Sequence, residues 1–357
     1  MSDIGQHLIE QVKTAREQGF HLNIIGRGSK QFLGRTPVGT PISIAEHCGI
    51  VDYRPAELVI TARAGTLLSE IEAALAQHGQ MLPFEPPTYG GRASLGGTLA
   101  CNLSGPARPW RGSIRDVLLG VRLINGKGEH LRFGGQVIKN VAGYDVSRLH
   151  AGAMGTLAII TEVTLRVVPK PAASLTLRQD MDAEQAIRKM NALAAEAKPL
   201  TGACWVDDGL YLRLSGTRSA VNTARAKWGG EFLDSGDRFW HGLREMRTDF
   251  FVTADTLWRF SVKPTAGHFY QSGVWLIDWA GALRWLNPER CVEDLGRVEF
   301  ERAAELADGQ TMMFRGGDRN EDVFHSQSRT AQLIHERLKS AFDPDRLFNP
   351  GRLYSWL

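Results

Sequence analysis

Three glycine-dense turns hold the residues of this 357-residue chain that could do chemistry: Gly26-Arg27-Gly28-Ser29-Lys30, Ser94-Leu95-Gly96-Gly97-Thr98, and the run Lys139–Pro169 with Gly143, Gly152 and Gly155. Glycines this close together let a backbone approach a flat or anionic group. Successive N–H groups of such a turn can converge on an anion. The implied chemistry is the holding of a cofactor, with the long β-branched strand behind Gly155 as a rigid wall. Taken alone, Gly26–Lys30 reads equally as a phosphate-binding turn or a plain tight turn. It departs from GxGxxG because Gln31 stands in the last glycine position, and it lacks the four-residue spacer of the P-loop. The pair Gly96-Gly97 opens a small-residue helix whose N-terminus can face a diphosphate, although close helix–strand packing explains it as well. Three such turns in one half of the chain favour a flavin.

Charged side chains offer less. Arg259 and Lys263 lie four apart in TLWRFSVKP and so share one side of a strand. An arginine there can grip a carboxylate bidentately. The competing reading is two solvent-facing charges on an edge strand. No side chain stands out as a general base. His241, His268, His325 and His335 form no HxH pair and read as ordinary surface or core histidines. Cys48, Cys101, Cys204 and Cys291 are far apart, without the spacing of a zinc or iron–sulfur site. They read as reduced, mostly buried thiols.

A net charge of +3 with no Lys/Arg stripe gives no reason to expect nucleic-acid binding. Hydrophobic content of 43% is ordinary for a globular protein. The first twenty residues lack the apolar core of a signal peptide. No segment reaches the roughly 18 apolar residues of a membrane span. The expected location is cytoplasmic, with any membrane contact peripheral and made through partners.

The elements that must position these turns follow from periodicity. Ile4, Leu8, Val12 and Ala15 recur at helical spacing. Short strands are expected at 21–25, 42–44, 50–53 and 58–63, then a helix capped by Thr66 and stopped by Gly79. Residues 117–124 and 129–133 flank NGKG as a hairpin. PFEPPTYGG (83–91) is a proline-stiffened loop and PKPAA (169–173) a linker. Beyond it, β-α-β-β-α order suggests a ferredoxin-like cap, followed by strands at 256–264, 273–278, 282–286 and 311–315. Trp275, Trp279 and Trp285 are expected in the cap core rather than on a docking face. A last helix spans about 326–342. No internal repeat is visible.

Read in order, IGRGSK, ARAGTLLSEIEAALAQHGQMLPFEPP, SLGGTLACNLSGPARPWRGSIRD and KNVAGYDVSRLHAGAMGTLAIITEVTLRVVP resemble the FAD-binding domain of the vanillyl-alcohol oxidase/p-cresol methylhydroxylase (PCMH) family. The closing FDPDRLFNPGRLY is similar to its 2-hydroxy-acid dehydrogenase branch. The short chain, GRGSK and ACNLSGPARPWRGSIRD resemble the flavin-carrying subunits of multi-subunit glycolate oxidases.

The resemblance implies an α+β fold: a PCMH-type two-part FAD-binding domain over 1–170, a ferredoxin-like α+β cap over 174–325, and a C-terminal helix with the NPG segment over 326–357. It implies FAD contacts at Gly26, Arg27, Gly28, Ser29 and Lys30, at Gly96, Gly97 and Thr98 with Asn102 and Ser104 behind, and at Arg111, Gly112 and Ser113 near the isoalloxazine. It adds Gly155 with Ile159 or Ile160 on the adenine or ribitol side, and Asn349 returning toward the flavin. Ser29 and Lys30 stand where covalent-flavin relatives place histidine, so the FAD is expected to be non-covalent. The implied activity is oxidation of glycolate or another small 2-hydroxy acid, beside a larger FAD subunit and an iron–sulfur subunit. A self-sufficient oxidase of a small hydroxy acid or polyol, and a non-catalytic assembly subunit, are the alternatives.

Overall fold

The computed structural model describes residues 2–135, 144–196, 199–269, 273–290 and 295–357. Gly143 and Cys291 lie outside them. Two antiparallel sheets organise the chain. The first has five strands, in the order Ile50–Arg54, Val59–Arg63, Ile159–Arg166, Leu118–Ile124, His130–Gly134. Ile159–Arg166 is central, and six of its eight residues are buried. That burial on both faces explains its richness in Ile, Val and Thr, which alternation alone would not produce. The helix Gly5–Gln18 packs Leu8, Val12 and Ala15 into the same core. The 117–133 hairpin forms, with Val121 opposite Phe133 and Leu123 opposite Leu131. The two strands at Leu22–Ile25 and Thr40–Ser43 pair in parallel, apart from that sheet.

Thr66 does not cap the next helix. That helix runs Leu68–Gln77 from Leu67, without a side-chain cap. The Thr66 hydroxyl instead bonds Gly49, accepting from its N–H and donating to its carbonyl. The competing main-chain partner was invisible in sequence because it lies 17 residues away.

The second sheet has eight strands and begins as a ferredoxin-like unit. Its first four strands, Ala173–Asp180, Leu200–Val206, Gly209–Gly216 and Glu231–Phe232, lie in the spatial order 4-1-3-2. The helices Ala183–Ala194 and Arg218–Trp228 connect them, capped by Asp182 and Thr217. The next four strands, Leu257–Ser261, Val274–Asp278, Leu283–Asn287 and Gln310–Arg315, repeat that order from the opposite edge. The halves join where Trp205 pairs with Ile277. The cap is therefore a structural duplication, contrary to the sequence expectation of no repeat. The second unit links its first two strands without a helix among the described residues, so no common periodicity survives. Trp275, Trp279 and Trp285 are each 4% exposed, as core residues.

The sheets are bolted together around the 83–91 loop. Arg213 pairs with Glu85 at 2.9 Å. Arg244 donates to Pro86 O at 2.8 Å and pairs with Glu72 at 2.6 Å. The buried Glu245 carboxylate accepts from Thr88 N and Oγ1. Trp279 Nε1 donates to Gly105 O at 3.0 Å.

Candidate functional site

The first glycine turn leaves the strand Leu22–Ile25 at its C-terminal end. None of the five N–H groups from Gly26 to Lys30 donates to an acceptor among the described residues. Arg27 and Gly28 are exposed while Gly26, Ser29 and Lys30 are buried or half-buried, and successive free N–H groups of this kind can converge on an anion. Gly28 sits at φ +71°, which an L side chain reaches only with strain. Lys30 is 7% exposed, with Nζ 3.5 Å from Ser29 Oγ and from Thr98 Oγ1 and 5.5 Å over the Tyr89 ring. It forms no ion pair among the described residues, and burial holds its pKa below the ordinary lysine value.

The C-terminal segment fixes this turn from behind. Asn349 Oδ1 accepts from Ile24 N at 2.7 Å, and its Nδ2 donates to Met154 O at 2.6 Å. The amide is thus spent on the scaffold. Gly155 is glycine because a Cβ there would meet Asn349 Nδ2 at 2.7 Å. Arg352 Nη2 donates to Gln31 O at 2.8 Å, and Nη1 bonds Arg35 O. The helix Arg329–Phe342 that delivers this segment is anchored by Lys339. Its fully buried Nζ bonds Asp343 Oδ2, Thr156 O and Phe348 O at 2.7–2.8 Å. Asp343 in turn accepts from Leu347 N and Phe348 N. Removing one partner of such a pair costs about 3–5 kcal/mol.

The second turn is built differently. Ser94 caps the helix Leu95–Cys101 through Gly97 N, so Gly96 and Gly97 lie inside the first turn rather than ahead of it. Leu95 N donates to Thr66 O, Gly96 N to Ala64 O and Thr98 N to Ser94 O. These amides are satisfied within the fold. A Cβ on Gly96 would lie 2.6 Å from Ala64 Cβ, so close helix–strand packing accounts for that glycine. Gly97 borders the same cavity as Gly26–Lys30, Asn349 and Arg352.

Other expected contacts divide. Asn102 Oδ1 and Ser104 Oγ are buried without a partner. Asn102 borders a second cavity, between the two sheets, rather than the one at Gly26–Lys30. Ser113 closes a capping box with Asp116, Gly112 turns at φ +79°, and Arg111 reaches Met81 Sδ at 3.6 Å. Ile159 and Ile160 are packed in the sheet core and border neither cavity named here.

A cavity of about 310 Å³ lies between the two sheets, bordered by Asn102, Arg108, Arg259, Trp279, Thr311 and His325 among others. Arg259 reaches it, stacked over the Trp279 and Trp285 rings at 5.3 and 5.8 Å. Lys263 does not. The strand ends at Ser261, and beyond it Lys263 N bonds Ala307 O while Nζ turns outward to Asp308 at 3.7 Å. Sequence reasoning missed Arg108, whose guanidinium lies 4.6 Å from the Trp279 ring. It also missed Arg352 and Ser94. The ARPW tetrapeptide and the arginine within NPGRLY were the available signals. His325 also borders the cavity, but Nδ1 faces Thr311 N at 3.5 Å and Nε2 faces Glu305 at 3.6 Å.

Residues 5–134 match a family model described as an FAD binding domain. The chain is 45% identical over 355 residues to glycolate oxidase subunit GlcE of Escherichia coli, covering 99% of both chains. It is 32% identical over 158 residues to glycolate oxidase subunit GlcD of Bacillus subtilis, covering 43% of this chain and 33% of that one. Among solved structures, alkyldihydroxyacetonephosphate synthase superposes with a TM-score of 0.65 at 16% identity, over 97% of this chain and 75% of that one. That last likeness is one of fold.

Proposed function

The chain belongs to the glycolate oxidase subunit GlcE family, an FAD-dependent oxidoreductase family, and from that premise we propose that it is the FAD-binding subunit of a multi-subunit glycolate oxidase. Its partners in this reading are a larger FAD subunit and an iron–sulfur subunit. Bound FAD supplies the two-electron acceptor. In this reading the overall reaction is the oxidation of glycolate to glyoxylate, with FAD as the acceptor held by this chain's residues. The two electrons then pass to the iron–sulfur partner. No helix among the described residues is long and apolar enough to cross a membrane. The reading places this chain in the cytoplasm, with any membrane contact peripheral and made through its partners. The domains are taken as 1–170, 174–325 and 326–357.

The observation that carries the reading is the run of five open amides at Gly26–Lys30, backed by Asn349 and Arg352. These residues bind and orient the diphosphate, while Lys30 supplies the adjacent positive charge. With Ser29 and Lys30 in the turn, the flavin is held non-covalently. The test uses the complex purified through an affinity tag on this chain. Gly28→Glu puts a carboxylate into the cradle. The expected result is an intact complex with less flavin and little glycolate-dependent dye reduction. Full activity after loss of this chain's flavin contradicts the proposal.

A further inference from the structure

Arg108 and Arg259 come from opposite sides of the interlobe cavity, one from the flavin-lobe helix Arg108–Arg111 and one from the cap strand Leu257–Ser261. Both guanidiniums stack on the same indole, Trp279, at 4.6 and 5.3 Å. The attraction of a guanidinium to a ring face uses none of its N–H hydrogen bonds, which leaves those donors for a ligand. Among the described residues no carboxylate lies within 4 Å of either group, and neither donates a side-chain hydrogen bond. Arg259 is half-buried and Arg108 is exposed on the solvent side, whereas the half-buried or buried Arg213, Arg244, Arg284 and Arg315 are paired or bonded to carbonyls. Two cations that share one platform without a counter-ion repel each other. Burial, and then Arg108, bring the Arg259 pKa down to about 10.

The platform itself is rigidly held. Trp279 and Ala280 both adopt left-handed backbone, at φ +54° and +55°. Such conformations cost of order 1–3 kcal/mol per residue and persist only where the surroundings impose them. Here Asp278 Oδ1 accepts from Trp279 N at 2.7 Å, and Trp279 Nε1 donates to Gly105 O at 3.0 Å across the lobes. Asn102 Oδ1, a buried acceptor with no partner, borders the same cavity. A positive edge beside an unsatisfied acceptor matches a carboxylate that carries a neighbouring hydroxyl.

We propose that this cavity is a substrate site on the chain itself, in which Arg108 and Arg259 together hold the carboxylate of one small 2-hydroxy acid and Asn102 receives its hydroxyl. This rests on the flavin reading above and adds to it. The chain carries its own carboxylate site and is not solely an electron relay or a scaffold. The site also exists only when the lobes are docked, because each contributes one arginine.

The test is titration of the FAD-loaded complex with oxalate, a carboxylate that cannot be oxidised in this way. Calorimetry and the flavin difference spectrum are read on the same sample. Oxalate is expected to bind and perturb the spectrum, and the neutral glycolamide is not. Arg259→Met and Arg108→Met are each expected to weaken oxalate roughly tenfold to a hundredfold, the loss of one charge-assisted contact, with flavin content unchanged. Arg188→Gln, a surface control, is expected to change nothing. Arg108 lies on a short surface helix, so its variant keeps the test open if Arg259→Met fails to fold. A complex whose flavin content matches the larger subunit alone would defeat the flavin reading itself. Yellow protein with no oxalate response, or with equal affinity in both arginine variants, would overturn this proposal alone.

Discussion

The two glycine turns of the flavin lobe have similar compositions and opposite construction. At Gly26–Lys30 the amides are open, the side chains stand aside, and the support comes from behind through Asn349 and Arg352. At Leu95–Thr98 every amide is satisfied and Gly96 is pressed against Ala64. Glycine content therefore marks closeness of approach, and the destination of the N–H groups decides what is being approached. One turn is shaped for a ligand and the other for a neighbouring strand.

Substitutions can break that contrast, the largest effect falling on the closed turn. Gly96→Val drives a branched side chain into Ala64 Cβ. It is expected to destabilise the apoprotein by about 3 kcal/mol or more, read by urea unfolding, before flavin affinity enters. Asn349→Ala leaves Ile24 N–H and Met154 O without a partner. The expected loss is about 2 kcal/mol of stability, with weaker FAD binding in the same protein because the open turn loses its backing. Gly28→Ala separates the two turns most clearly. Its Cβ meets nothing closer than 3.8 Å, so the strain is conformational, about 1–2 kcal/mol. FAD affinity by fluorescence titration is expected to fall roughly fivefold to thirtyfold.

Lys30 sharpens the contrast through pH. Burial depresses its pKa in the free protein, while a bound diphosphate favours the ammonium. The protonated lysine binds FAD better, so affinity is highest below the free-protein pKa. It then falls by up to about tenfold per pH unit as pH rises through that value. Lys30→Met is expected to bind more weakly and lose this dependence. Smallest of all is Gly97→Ala. A Cβ there meets only Ser94 Oγ at 3.2 Å, and alanine favours the helix, so stability is expected to change by less than about 1 kcal/mol.

Much of the flavin lobe was legible because its signals are local. The amphipathic first helix and the 117–133 hairpin follow from repeats of 3.6 and two residues, and the strand at 159–166 from a short apolar run that stops at proline. The ordered motifs also located the turn at 26–30 and the returning Asn349. The remainder depended on distance in sequence. Nothing in SLGGT reveals that Ala64, Thr66 and Ser94 satisfy its amides. Nothing in TLWRFSVKP reveals that the strand stops at Ser261, which separates Arg259 from Lys263. Arg108 meets Trp279 across 171 positions, so neither residue signals the other. The duplicated cap was hidden because, among the described residues, one copy has no helix between its first two strands to give both the same period.

Amide hydrogen exchange on the purified complex, with and without FAD, tests the central claim most directly. The account predicts strong protection of Gly26–Lys30 on flavin loading and unchanged, already slow exchange at Leu95–Thr98. Protection at 95–98 with none at 26–30 would contradict it.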